Sequence, residues 1–324
     1  MPRAALCRRN LLAATLAAGA AGGAGAQSGW PSRAIRLVVP FAPGGLTDIP
    51  ARLVAAHMSR TLGQPVAVEN RAGATGTIGA DAVSKAVADG HTLLQANAAS
   101  NAQAPALRRN VTYNPLEDFT AVALCVISPF ALVVRADRPL RSMEDMVALA
   151  RREGRVTFGT TGPGGTGHIF ALMLTKATGV TFEPIHFPGD GPAIQEVLAG
   201  RLDMHYAAAA RPHVEAGRLR VVATTGADRW SIFPEAPTLL ELGFRGADLY
   251  GWNGIAGPRG LPASVVARLN AAANEALRDA EIRARLAAAG LEPQGGTAGR
   301  FAEHIAAEYA RYKRIGEEFN LIMD

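Results

Sequence analysis

The chain has 324 residues with 33 Lys and Arg against 28 Asp and Glu, a formal charge of +5, and two cysteines. The basic residues are scattered rather than interleaved with aromatics, which excludes the basic stripe that tracks nucleic acid. A chain this long exceeds what one core usually serves, so two domains are expected.

The first residues read as an export signal spanning 1–26. Arg8 and Arg9 stand before an apolar stretch from Leu11 to Ala21, and Ala24-Gly25-Ala26 supplies the small residues of a cleavage site. The mature chain then starts at Gln27 and is expected in the periplasm, by either the general or the twin-arginine route. Losing Arg3, Arg8 and Arg9 leaves 30 basic and 28 acidic residues, a charge of +2. Cys7 precedes the apolar run, which argues against a lipid anchor, and Cys125 is then left without a partner for an intrachain disulfide.

From Ala34 onward apolar strand-like runs alternate with helix-like segments, the pattern of a mostly parallel sheet flanked by helices. A strand at 35–39 leads through Pro43-Gly44-Gly45-Leu46-Thr47-Asp48 into a helix near Ile49, with Pro50 in its first turn. A strand at 66–70, a helix at 77–87 and a strand at 92–96 complete one β-α-β-α-β unit. An apolar stretch at 122–134 opens a second series. Ser142 and Asp145 form a capping box for a helix at Met143, followed by a strand at 155–159, a helix at 167–177 and a strand near 184–187. A short helix at 194–198 ends at Gly200, and strands at 202–206 and 220–223 follow. After Trp252 the chain reads as helical, over 263–277, 280–289 and 301–319. Crossings near Ser128 and Gly251 predict two lobes, residues 27–127 with 252–324 and residues 128–251.

Three strand-to-helix junctions, at 43–48, 160–168 and 188–192, are rich in glycine and small hydroxyls. Glycine lets backbone approach a ligand, and a helix start offers unpaired N–H groups, so each junction is a potential anion seat. Thr47 and Thr166 either cap their helices or line the seat. His168 either locks the glycine loop or reaches the ligand. Asp48 is either a carboxylate stabilised by the helix dipole or an acceptor for a polar ligand group.

Enzyme signatures are absent. Gly162-Pro163-Gly164-Gly165-Thr166-Gly167 has dinucleotide-loop spacing, but Glu183 precedes its strand's apolar centre and would sit on the wrong side of the sheet for a ribose. No Gly-Lys-Ser/Thr, Gly-x-Ser-x-Gly or His-Glu-x-x-His occurs, and the seven histidines lack metal-ligand spacing. No cofactor, metal or catalytic role is therefore expected. The rival readings are an enzyme using the 162–167 loop for a cofactor phosphate, and a receptor presenting ligand to a sensor protein.

The ordered motifs resemble the substrate-binding receptors of tripartite tricarboxylate transporters, the Bug receptors. The matching stretches are Trp30-Pro31-Ser32-Arg33-Ala34-Ile35-Arg36-Leu37-Val38-Val39-Pro40-Phe41 with Pro43-Gly44-Gly45 and Thr47-Asp48, then Val68-Glu69-Asn70-Arg71-Ala72-Gly73 and Asp89-Gly90-His91-Thr92. Gly165-Thr166 with His168, Gly200-Arg201-Leu202-Asp203 and Pro234-Glu235-Ala236-Pro237-Thr238 follow in order. The resemblance implies an α/β two-lobe periplasmic binding protein of Venus-flytrap form. It further implies a small organic acid as ligand, integral-membrane permease subunits as partners, a monomeric state and no nucleic acid. Carried onto this sequence, ligand contact falls on Phe41, Gly44, Gly45, Thr47, Asp48, Asn97 and Ser100, and on Thr160, Thr161, Gly165, Thr166, His168 and Gly189.

The chain also departs from the family pattern. His186-Phe187-Pro188-Gly189-Asp190 stands where Pro-Tyr-Lys-Gly-Ser is common, and Ala207-Ala208-Ala209-Ala210 where a polar residue is usual. A less polar acid than a tricarboxylate or amino acid is expected. Asp190 either repels an anion or points away from the cleft.

Overall fold

The computed structural model describes residues 29–322 apart from 209 and 248; the expected export signal and its cleavage site lie outside them. The described residues form two sheets. In the first, β1 (Ile35–Val39) carries branched aliphatic residues at four of its five positions, all buried, with Arg36 the exposed exception. Parallel neighbours flank it, β2 (Val66–Asn70) on one side and β3 (Thr92–Asn97) on the other. Helices α1 (Asp48–Leu62) and α2 (Thr77–Ser84) make the crossovers. After β3 the chain makes one π turn at Ala99–Gln103 and a short helix, α3 (Ala104–Leu107), before β4 (Phe119–Ser128).

The second sheet begins with β5 (Ala131–Arg135). The expected capping box opens α4 (Met143–Glu153): the Ser142 hydroxyl accepts the Asp145 N–H, and the Asp145 carboxylate accepts the Ser142 N–H. Then come β6 (Val156–Thr160), α5 (Thr166–Thr178), β7 (Phe182–His186) and α6 (Asp190–Leu198). β8 (Met204–Ala207), α7 (Arg211–Glu215) and β9 (Leu219–Thr224) finish this half. The chain returns to the first sheet as β10 (Gly251–Pro258), followed by α8 (Ala263–Arg278), α9 (Ala280–Ala288), the two-residue strand β11 (Glu292–Pro293) and α10 (Ala298–Glu318).

Strand order is β11-β4-β10-β3-β1-β2 in one sheet and β7-β6-β8-β5-β9 in the other. Both are α/β as expected, but the pairing is mixed rather than mostly parallel. β10 runs antiparallel to β3 and β4, and β5 runs antiparallel to β8 and β9. The apolar stretch expected at 122–134 is two strands of different sheets, parted at Pro129 and Phe130.

A second difference is β10 itself. The sequence after Trp252 reads as helical, yet Gly251–Pro258 is the central strand of the first sheet, buried at seven of eight positions. Its glycines hide it from a propensity reading, because strands usually carry β-branched residues. They are required by packing. A Cβ at Gly254 would collide with the Phe301 ring and lie 2.6 Å from the Ala123 carbonyl oxygen.

Helix α10 touches both halves. Phe301 and Ile305 are buried in the core, while Glu318 pairs with Lys176 of α5 and Arg311 donates to the Gly246 carbonyl at 3.1 Å. Cys125 is fully buried, and its thiol is pushed up to about 12 by desolvation. No helix among the described residues is long and apolar enough to cross a membrane.

Candidate functional site

The loop after β1 is built around one carboxylate. Asp48 Oδ2 accepts the Gly44 N–H at 2.9 Å and the Arg52 Nε–H at 2.7 Å, and Oδ1 accepts from Asn70 at 2.8 Å. Burial alone would raise its pKa, but Arg52, the Gly44 N–H and Asn70 together outweigh that and hold it below the usual carboxylate range. Gly44 takes φ +82, the left-handed turn that lets its N–H face back to Asp48. The Gly45 carbonyl accepts the N–H groups of Asp48 and Ile49. Asp48 therefore shapes the loop, and with Gly44 it borders a hollow shared with Arg285 and Ala288.

What the loop presents inward is Phe41, Leu46 and Thr47. These line a cavity of about 140 Å³ together with Asn97, Ser128, Phe130, Thr166, Trp252 and Asn253. Strand residues of the first sheet meet Phe130, just before β5, and Thr166, at the start of α5, here. Asn97 and Asn253 are directly opposed across the antiparallel β3–β10 pair, and Ser128 faces Gly251 where β4 and β10 leave the first sheet.

Three polar atoms in this wall lack a hydrogen-bond partner among the described residues: Asn97 Nδ2, Ser128 Oγ and Asn253 Oδ1. Their residues are only 4%, 3% and 4% exposed. Each amide orientation is set by its other end. Asn97 Oδ1 accepts the Ser100 N–H at 3.0 Å, and Asn253 Nδ2 donates to the Leu46 carbonyl at 3.3 Å. The cavity therefore meets an N–H donor from Asn97, a hydroxyl from Ser128 and an acceptor oxygen from Asn253. Buried polar groups are seldom left unmatched, so this wall is complementary to a polar guest.

Around the glycine loop after β6, His168 Nδ1 accepts the Gly164 N–H at 2.9 Å. The histidine locks the loop. Burial first, and the neighbouring His186 second, lower its pKa and keep Nδ1 free to accept. Thr161 and Gly165 line a second cavity, of about 370 Å³, that also has Phe41 in its wall. Gln103, from the turn after β3, crosses to this loop and donates to the Gly164 carbonyl at 2.7 Å.

Of the sequence candidates, Phe41, Thr47, Asn97 and Thr166 meet in the first cavity, and Phe41, Thr161 and Gly165 in the second. Ser100 is fully buried with its hydroxyl on Asn101. Thr160 is 1% exposed and hydrogen-bonded to His186 at 2.6 Å. Gly189 sits at the start of α6 and borders neither cavity. Asp190 turns from the cleft: Oδ2 accepts the Ala208 N–H at 2.9 Å, and Oδ1 lies 3.2 Å from His205 Nε2. Glu183, the residue weighed for a ribose, pairs with Arg155 at 2.8 Å.

Sequence reasoning missed Ser128 and Asn253 as site residues, along with Phe130 and Trp252. The available signal was a single Asn inside an otherwise apolar Gly-Trp-Asn-Gly-Ile-Ala stretch, at a position already marked as a crossing. Among the described residues no group of three His, Cys, Asp or Glu side chains is placed to hold a metal ion.

Two helix-flanked sheets enclosing an uncharged polar cavity at the strand crossings define a two-lobed periplasmic binding protein. Solved relatives share that architecture over most of the chain. Residues 50–321 match the family model described as the tripartite tricarboxylate transporter family receptor, and the chain belongs to that family, whose members bind solutes rather than catalyse. Protein BugT of Bordetella pertussis is 34% identical over 89% of this chain and 90% of its own. Two solved Rhodopseudomonas palustris proteins are similar throughout. Rpa4515 with adipate has TM-score 0.76 and 33% identity, covering 89% of this chain and 97% of that one. MatC with bound malate has TM-score 0.72 and 32% identity, covering 88% and 99%.

Proposed function

We propose that the chain captures a small organic carboxylate between its lobes and delivers it to the membrane subunits of a tripartite tricarboxylate transporter. The observation that carries this is the buried trio of unmatched polar atoms on Asn97, Ser128 and Asn253. A carboxylate accepts from the Asn97 amide and from the Ser128 and Thr47 hydroxyls without needing a full counter-charge, since charge-assisted hydrogen bonds are the strong ones. Asn253 Oδ1 requires a donor, which a ligand hydroxyl or a bridging water supplies. Leu46, Phe130 and Trp252 line the same space, so the carbon skeleton beside the carboxylate is apolar. The adipate and malate carried by the two solved relatives support an acid ligand.

The hinge in this reading lies at residues 127–128 and 251–252, where β4 and β10 lie side by side and exit the first sheet. The receptor works as a monomer in the periplasm. Thermal-shift screening of the folded protein against organic acids tests the capture step, because a ligand that binds only the native state raises the melting temperature by mass action. A hit that Asn97→Ala weakens, and loss of uptake of that acid on deleting the gene, are the expected results. No hit among the acids, or a hit that Asn97→Ala leaves untouched, would overturn the reading.

A further inference from the structure

Phe41 lines two chambers of unequal size and unequal charge. The smaller one, about 140 Å³, falls below the roughly 300–1,000 Å³ of ordinary ligand sites. The larger one, about 370 Å³, shares Phe41 with it and is walled by the glycine loop of the second half. Among the described residues no ionisable side chain lines the smaller chamber. In the larger chamber Arg108 is the one charged residue among the described lining residues, and none of them is an acid.

Arg108 follows α3 in extended backbone, φ −121 and ψ 135, anchored by its N–H to the Ala104 carbonyl at 2.9 Å. It is half-buried. Its guanidinium makes no ion pair or hydrogen bond with another described residue. Other arginines on the molecule are matched: Arg52 by Asp48, Arg138 by Asp203, Arg155 by Glu183 and Arg201 by Glu196. A partly desolvated cation facing a chamber without an acid favours an anion that comes from outside the chain.

We infer that Arg108 is a specificity-determining residue of this receptor, seating a second anionic group at the far end of the ligand. The inference rests on the proposed seating of the first carboxylate at Asn97 and Ser128. The ligand then runs from the uncharged smaller chamber, past the Phe41 ring, to a guanidinium in the larger one. Thr75 and Thr161 line the larger chamber as well and can add donors beside Arg108. The ligand class is an acid with an apolar middle and a negative group at each end, and an acid with one charged end leaves Arg108 unmatched.

Calorimetric titration with the unbranched dicarboxylates from succinate to suberate, each paired with the monocarboxylate of equal chain length, tests this. The expected result is a dicarboxylate preference at the best chain length. Arg108→Gln lowers that preference about ten- to a hundredfold, the usual worth of a hydrogen bond to a charged group, and Arg108→Lys restores part of it. Added salt reduces the preference in the unmutated protein, which reads the same charge without a substitution. A preference that survives both Arg108→Gln and salt overturns the role of Arg108, while the capture reading stands if Asn97→Ala still weakens binding. Tighter binding of the monocarboxylates also overturns it, and binding of neither series overturns both.

Discussion

The side-chain amide of Gln103 donates to the carbonyl oxygen of Gly164 across 2.7 Å, joining the turn after β3 to the glycine loop after β6. The Thr166 hydroxyl adds a longer contact to the other end of the same amide, 3.4 Å from its oxygen. A bond between the two halves stabilises the closed arrangement relative to an open one, and so raises apparent ligand affinity. Gln103→Ala is expected to weaken binding about three- to tenfold, as one net hydrogen bond of ~1 kcal/mol implies. Stopped-flow kinetics should place most of the change in dissociation; an unchanged off-rate would mean the contact does not hold the halves together.

Ser128 makes the opposite trade between binding and stability. Its hydroxyl is buried and unmatched among the described residues, so Ser128→Ala removes a desolvated group that the ligand-free fold does not use. The melting temperature without ligand should stay level or rise slightly. Ligand affinity should fall about fivefold or more, by the loss of one charge-assisted hydrogen bond. Differential scanning calorimetry with and without ligand reads both signs in one experiment.

Gly254→Ala tests why β10 is so rich in glycine. The new methyl would enter space held by the Phe301 ring and the Ala123 carbonyl, and the backbone side of that contact cannot give way cheaply. Overpacking of this kind costs about 1–3 kcal/mol. The urea midpoint should drop accordingly with the slope unchanged. A variant as stable as the parent would show that both α10 and the β4 backbone can yield.

Histidine titration sets a lower pH edge for stability. Burial depresses the His304 pKa from 6.5 to about 4, so the folded protein resists a proton that the unfolded chain accepts. The stabilisation is complete above 6.5 and is lost as pH falls from there through 4, amounting to at most on the order of 3 kcal/mol. His168 moves in the same direction. His304→Phe should flatten the melting temperature between those pH values. Asp48 and Asp203, both held below the ordinary carboxylate value, lose their stabilisation mainly as pH falls below their unfolded value of 3.8, so most of the histidine effect precedes theirs in one titration.

The parts of the fold legible in sequence are those fixed by neighbours in the chain. The β1–loop–α1 unit, the Ser142–Asp145 capping box and the glycine turns follow from residues a few positions apart. Strand pairing is not local, and nothing near β10 announces that it lies between β3 and β4. The site divided the same way. Thr47, Asn97 and Thr166 lie at strand ends or helix starts and were visible, whereas Asn253 and Ser128 are polar only in a wall that two distant strands assemble. Ser100 and Asp48 illustrate the converse: motif position marks them for the ligand, but the nearby Asn101, Gly44 and Arg52 occupy their side chains.

The opposed pair Asn97 and Asn253 has a bearing on biogenesis. All five strands of the second sheet are translated between them. A growing chain that stops short of β10 lacks one side of the floor, however well its first three strands have paired. Competence to hold solute thus arrives late in synthesis, and a clipped or prematurely terminated product would leave it uncaptured instead of sequestering it unproductively.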